Sequence, residues 1–203
     1  MSEHRYTTVD TLKGVVKQGL DSPPAVFEQA IDTATESIDN YCGRRFDQVV
    51  AVGGVARIFP VELDTLVGPT PSMAIDDVLP VDGQAITVET TRTPTADAEW
   101  VEEPSGWWLG PNPRKEGWPY TEFYVRDYRR WANQYVRITT SWGWEEIPSP
   151  VARACLMMAS RTIAREDSPL GQMMGEYGAV YVRTVDPDIK NWIRPYKRAY
   201  LLD

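Results

Sequence analysis

The side chains best equipped for chemistry in this sequence are two pairs of adjacent carboxylates, Glu102-Glu103 and Glu145-Glu146, set among tryptophans. Two carboxyl groups flanking one sugar ring can serve as acid and base in glycoside hydrolysis, with an aromatic ring holding the substrate. Neighbouring residues on a strand point to opposite faces, however, so neither pair can by itself share one substrate. An inverting glycosidase using two of these glutamates is therefore the third reading in order of support. Nucleophilic chemistry has less to draw on. The one histidine, His4, falls in a segment expected to fray. Cys42 and Cys155 each lie on the apolar face of an expected helix, so both read as buried free thiols in a reducing compartment. Neither has the electropositive, exposed setting of a reactive thiolate, and no zinc ligand set can be assembled. No GxxxxGKS, GxxxxGKT or post-strand GxGxxG loop occurs to cradle a phosphate. No catalytic, cofactor or metal residue is assigned, and the chain is expected not to be an enzyme.

Seven of the eight tryptophans lie between Trp100 and Trp144, several beside glycine or proline. Core and turn cover is the plainer reading. The sharper one is an aromatic platform for a sugar ring or a partner protein, which makes a carbohydrate-binding β module the second hypothesis. At 203 residues the chain is long enough for one sizeable domain or a core with a large insertion. Its 42% apolar and 25% charged content is ordinary for a globular protein, and no apolar run nears the roughly 20 residues of a membrane span. The opening MSEHRYTTVD has no basic cap and apolar stretch, so no secretory signal is expected and folding is expected in the cytosol. The net charge of -8 is uneven: residues 46–147 hold 8 basic and 16 acidic residues, whereas 148–203 hold 8 and 6. Such a surface argues against wrapping nucleic acid through clustered Lys and Arg, and suits one that DNA passes without sticking.

Periodicity supplies the elements that would position these groups. Thr7-Thr8 offers an N-cap to a short helix over Val9–Leu20. Ser22-Pro23 opens a second helix whose Phe27, Ile31, Ala34, Ile38 and Tyr41 share one face until Gly43 caps it; Glu28, Asp32, Glu36 and Asp39 read as its solvated face. From Arg44 to Trp142 the period becomes that of strands, over Phe46–Val52, Val55–Val61, Ala85–Glu89, Glu122–Arg126 and Tyr135–Ser141, in a small antiparallel sheet broken by prolines. Ser149-Pro150 then starts a third, central helix with Val151, Ala154, Cys155, Met158, Thr162 and Ile163 as its apolar positions and Arg153, Arg161 and Arg165 pointing elsewhere; Ser168-Pro169 closes it. Gln172 to Gly178 has no strong period, and Ala179 to Thr184 reads as a short strand. Asp186-Pro187-Asp188 begins a last helix with Ile189, Trp192, Ile193 and Tyr196 as its stripe, ended by Pro195. The tail from Pro195 is expected to dock on a neighbour rather than on its own domain. The expected fold is α+β: a small helical bundle of about four helices, built discontinuously from 1–45 and 147–203, with a large antiparallel β insertion at 46–146 between helices two and three.

Taken in order, these features resemble the head-to-tail connector, or adaptor, proteins of tailed bacteriophages. The resemblance rests on Tyr41 to Phe46 at the end of helix two, an insertion closing on Ser141-Trp142-Gly143-Trp144, Ile147-Pro148 before the next helix, Arg165 with Ser168-Pro169-Leu170-Gly171, and Asp186-Pro187-Asp188 with Pro195-Tyr196. It covers both helical ends and the edges of the insertion; from about Leu63 to Tyr120 no family pattern is matched. The resemblance implies a virion structural protein at the head-tail junction, made in the host bacterial cytoplasm. It implies a ring, commonly of twelve copies, under the portal protein, extending the channel through which genome DNA passes and docking the next neck or tail-completion protein. No cofactor and no membrane are implied. Contacts to the next subunit or the portal are expected at Arg153, Arg161, Arg165, Trp192, Arg194, Tyr196, Lys197 and Arg198.

Overall fold

Gly43 marks the first place where the chain changes character. It takes the left-handed conformation (φ 64°) that ends a long helix, and its N–H donates to the carbonyl of Asp39 at 2.8 Å. The structure is a computed structural model and describes residues 4–16, 22–62, 70–80, 84–111, 117–166, 174–175, 178–179 and 187–198. In chain order the elements are helices α1 (Val9–Val15) and α2 (Pro24–Cys42); strands β1 (Gln48–Val49), β2 (Val55–Pro60), β3 (Ser72–Val78), β4 (Thr87–Thr91), β5 (Val101–Glu102), β6 (Trp107–Gly110) and β7 (Tyr120–Val125); a single helical turn α3 (Tyr128–Trp131); strands β8 (Tyr135–Thr140) and β9 (Trp142–Gly143); helix α4 (Ser149–Glu166); strands β10 (Met174–Gly175) and β11 (Gly178–Ala179); and helix α5 (Pro187–Ile193), which runs into a 3-10 turn at Arg194–Tyr196. Helices and antiparallel sheets thus coexist in one α+β chain. Two compact units result, one from Met1–Phe46 with Ile147–Asp203 and one from Asp47–Glu146.

In the helical unit α2 packs along α4, with α1 against both and α5 against α4. The expected stripe on α2 is the buried one: Phe27, Ile31, Ala34 and Ile38 are enclosed. On α4 the enclosed residues are Val151, Ala154, Cys155, Ala159 and Ile163, while Met158 and Thr162 are only half-buried. Two helix starts differ from the sequence expectation. Pro23, not Ser22, is the N-cap of α2, with no side-chain hydrogen bond, and Pro24 takes the first helical position. At α4 the carbonyl of Pro148 accepts from the N–H groups of Val151 (2.8 Å) and Ala152 (3.1 Å), so Ser149 is already helical. Prolines fit both places because first-turn N–H groups have no partner within the helix. Thr8 does cap α1, its hydroxyl accepting from the N–H of Thr11, but the helix ends at Val15 and not at Leu20.

Two further expectations are corrected in this unit. His4 is not frayed but 8% exposed, its ring edge-on to Tyr6 at 4.5 Å. Nor is the acidic row of α2 merely solvated: Asp32 takes Nε and Nη2 of Arg5 at 2.7 and 3.0 Å, and Asp39 accepts the hydroxyl of Tyr6. The tail also docks on its own unit as far as it is described. Tyr196 packs edge-on to Phe46, and the N–H of Arg198 donates to the carbonyl of Cys42 at 3.0 Å. Residues 180–184 of the expected strand, Ser168-Pro169 and the last five residues lie outside the described residues.

The β unit holds two sheets where one was expected. A five-stranded sheet runs β1-β9-β3-β7-β6 and a four-stranded one β2-β8-β4-β5, with every recorded pairing antiparallel. Their inner faces share one core of Met73, Ile75, Val88, Phe123, Val136, Ile138 and Trp142, closed by Trp131 of α3. Strand β3 escapes sequence reading because Asp76 and Asp77 interrupt its alternation. Asp77 is nevertheless buried, accepting the indole N–H of Trp144 at 3.2 Å. Pro60 is tolerated because β2 is an edge strand and Pro60 its last residue. Gly143 is demanded by geometry: φ is +95°, and a β-carbon there would come within 1.8 Å of the Asp47 carbonyl oxygen.

Candidate functional site

The expected contact residues divide into two groups. Arg153 is exposed on α4, and its guanidinium lies over the ring of Trp192 on α5, 4.9 Å from the centroid. That stacking keeps a cation and a flat aromatic side by side at the surface, a pairing common in protein contacts. Arg194 is exposed beside it in sequence, in the 3-10 turn. Arg161 is half-buried, and Arg165 lies in the last turn of α4. The second group is turned inward. The Lys197 ammonium sits 5.5 Å above the Tyr41 ring, Arg198 is 8% exposed, and burial raises the Tyr196 hydroxyl above its ordinary pKa. The structure thus brings Arg153 and Trp192 together and gives Tyr196, Lys197 and Arg198 partners within their own unit.

The carboxylates form no acid/base pair within either doublet. Glu103 is buried in an ion pair with Arg130 and accepts the Thr90 hydroxyl at 3.3 Å, whereas Glu102 faces outward. Glu145 and Glu146 both stand exposed just before α4. The tryptophans follow the plainer reading for the most part. Trp131, Trp142 and Trp144 are buried, Trp107 stacks on Phe123, and Trp118 meets Trp144 edge-on. Trp108, at 37% exposure, lies parallel to Tyr124 with centroids 5.6 Å apart. The Tyr124 hydroxyl donates to Glu122 at 2.5 Å, and that hydrogen bond, with partial burial, pushes its pKa up to about 12.

Both thiols are free and buried. Burial pushes Cys42 up to about 12 and Cys155 up to about 11, so each stays protonated through the neutral range. Cys155 lies 3.6 Å from the Thr35 hydroxyl across the α2–α4 contact. No cluster of three or more His, Cys, Asp or Glu suited to a metal ion occurs among the described residues, and no described helix is long and apolar enough to cross a membrane.

A network that the sequence left unread joins the segment before α1 to the end of α2. The Phe46 N–H donates to the Tyr6 hydroxyl at 2.9 Å, that hydroxyl donates to Asp39, and His4 Nε2 lies 3.7 Å from the same carboxylate. The one signal for it was the basic and aromatic Arg5-Tyr6 preceding an acid row spaced four, four and three residues apart.

An α+β chain with a β unit carried between two packed helices is the class this fold defines. No family model matches it, and no curated protein matches it either. Among solved structures it is similar to a chain in the neck of an empty GTA particle computed with C6 symmetry, at 12% identity, covering 95% of this chain and 89% of that one with a TM-score of 0.47.

Proposed function

We propose that this chain is a virion structural protein, a head-to-tail connector that assembles as a ring under the portal, extends the DNA channel and docks the next neck or tail protein. The observation that carries the reading is where the family-like segments fall. Tyr41 to Phe46 is the stretch in which α2 ends at Gly43 and Phe46 is enclosed between Tyr6 and Tyr196. Ser141 to Trp144 closes the β unit through a backbone conformation at Gly143 that leaves no room for a β-carbon. Ile147-Pro148 supplies the carbonyl on which α4 starts. Each of these three short motifs therefore has a physical task at a junction between helix and insertion, as expected of a shared scaffold.

In this reading the chain works by shape and repetition and catalyses nothing. The acid excess of residues 46–147 makes a surface unsuited to gripping phosphates, one that DNA can pass without sticking. Arg153 over Trp192, with Arg194 close by in sequence, is the contact surface offered to the portal or the next subunit, and twelve copies is the number the resemblance implies. The test is native mass spectrometry and electron microscopy of the protein mixed with the portal of the same particle. A ring of copies bound to the portal is the expected result. Monomer without portal association at micromolar concentration and above overturns it.

A further inference from the structure

Among the described residues the β unit has four edge strands, and they are not protected alike. β1 and β5 are two residues long, and β5 carries the exposed Glu102 three residues after Glu99. Short, charged edges deter pairing by another chain. β2 and β6 run six and four residues, and among the described residues no further strand pairs with either. On β2 the outward side chains are Ala56, Ile58 and Pro60, all exposed and uncharged, with Ile58 at 49%. The turn before it adds Val50 at 53% and Val52 at 108%, and the sequence from Gln48 to Ala56 contains no charge. On β6 the outward residue is Trp108, braced flat against Tyr124, and the sequence from Pro104 to Pro113 is again without charge.

We propose that these two edges are the halves of one heterologous contact between copies of this chain, β2 of one copy pairing along β6 of the next. Like charge selects the place. The unit from Asp47 to Glu146 holds 8 basic and 16 acidic residues, so two copies repel wherever acid meets acid, and the uncharged edges are where backbones can approach without that cost. The edges also differ in a complementary way: β2 offers aliphatic knobs and β6 a flat ring. A contact of β2 with itself would leave β6 unaccounted for and would stop at a dimer. A contact between unlike edges uses both and closes into a ring when the rotation closes. The inference rests on the ring reading above and names the surface through which it forms.

The test uses the full chain in sedimentation velocity from micromolar to submillimolar concentration, with Ile58→Glu and Trp108→Glu as variants. Ile58 is exposed, so Ile58→Glu should keep the wild-type circular dichroism and thermal unfolding; Trp108→Glu gives up the stack on Tyr124 and should keep the spectrum while unfolding at a slightly lower temperature. Each variant alone should weaken self-association by roughly tenfold or more, because each buries an unpaired carboxylate. An equimolar mixture of the two should recover one contact and stop at a heterodimer, since each partner keeps one intact edge. Wild-type monomer throughout, indifference to both variants, or sensitivity to Ile58→Glu alone overturns the proposal. Particles that still carry either variant at the neck would leave the proposed function standing while this contact fell. Self-association through both edges without portal binding would do the reverse.

Discussion

The helical unit and the β unit solve the burial problem with different side chains. Between α2 and α4 the contact is made by small and aliphatic residues, Ala30, Ala34, Ala154 and Ala159 among Ile31, Ile38 and Ile163, so two backbones run close and few polar groups need partners. In the β unit the largest core members are rings, and each buried indole brings an N–H that must be satisfied. Trp142 donates to the carbonyl of Val55 at 2.7 Å, Trp107 to that of Glu103 at 2.7 Å, and Trp144 to Asp77. Arginines then cover ring faces, Arg57 over Trp142 and Arg137 over Trp100, while being held by Asp76 and Glu89. One unit is specified by apolar spacing, the other by long-range polar pairing around aromatics.

The strongest way to break that contrast is to remove a ring. Trp142→Ala takes out a fully buried side chain, its hydrogen bond to β2 and its contacts with Phe59 and Arg57. It should cost about 3–5 kcal/mol in urea denaturation, with loss of near-ultraviolet signal from the β unit, and a cost below about 1 kcal/mol would mean that the aromatics do not specify this core. Gly143→Ala comes next. A φ of +95° and a β-carbon 1.8 Å from a backbone oxygen leave no conformation to relax into, so a loss of about 2–4 kcal/mol is expected by the same measurement.

The same contrast explains what was readable in advance. Helices α2 and α4 were legible because their burial stripes repeat within the sequence, and Gly43 announces its own turn. The strands β2, β7 and β8 were legible from alternation, to within a residue or two at each end. β3 was not, because its inward Asp77 is buried on the strength of an indole 67 residues away, which no local pattern records. β6 was hidden for a related reason: Trp107 and Trp108 are both large and apolar, yet one faces the core and one faces out. Of the candidate contact residues, Arg153 was legible as pointing away from the apolar stripe of α4, whereas the inward docking of Tyr196 and Arg198 depends on Phe46 and Cys42, far away in the chain. The His4 to Phe46 network is not legible from the sequence because its acceptor, Asp39, lies more than thirty residues from Tyr6 and only the fold brings them together.

Alkaline titration sharpens the comparison for the helical unit, which holds both thiols. Their folded values, about 12 and 11, lie above the ordinary 9.0 because burial disfavours the thiolate. The folded state therefore keeps protons that the unfolded chain releases. This contribution is fully present below about pH 9 and is lost as pH rises from there through 11 and 12. Stability measured by urea should fall by about 1 kcal/mol per thiol by pH 10, and the double variant Cys42→Ala with Cys155→Ala should flatten that slope. Iodoacetamide at pH 8 should leave the native thiols unlabelled and modify both in denaturant; rapid native labelling would contradict their burial.

The smallest effects separate the two halves of the α2 acid row. Asp39 serves Tyr6 and faces His4 with a side chain only 22% exposed, and Tyr6 in turn holds the Phe46 N–H. Asp39→Asn should therefore cost about 1–3 kcal/mol, since the Tyr6 hydroxyl loses its charged acceptor and the His4 ring loses the carboxylate it faces. Arg5 and Asp32 make the better-looking pair, with two hydrogen bonds, but their side chains are 27% and 30% exposed, and solvent screens them. Arg5→Ala should stay below about 1 kcal/mol, and the little it costs should shrink further at high salt. If Arg5→Ala proved the more damaging of the two, the segment before α1 would be held by its surface ion pair and not by the Tyr6 network. The helical unit would then depend on exposed charge in a way its apolar packing does not require.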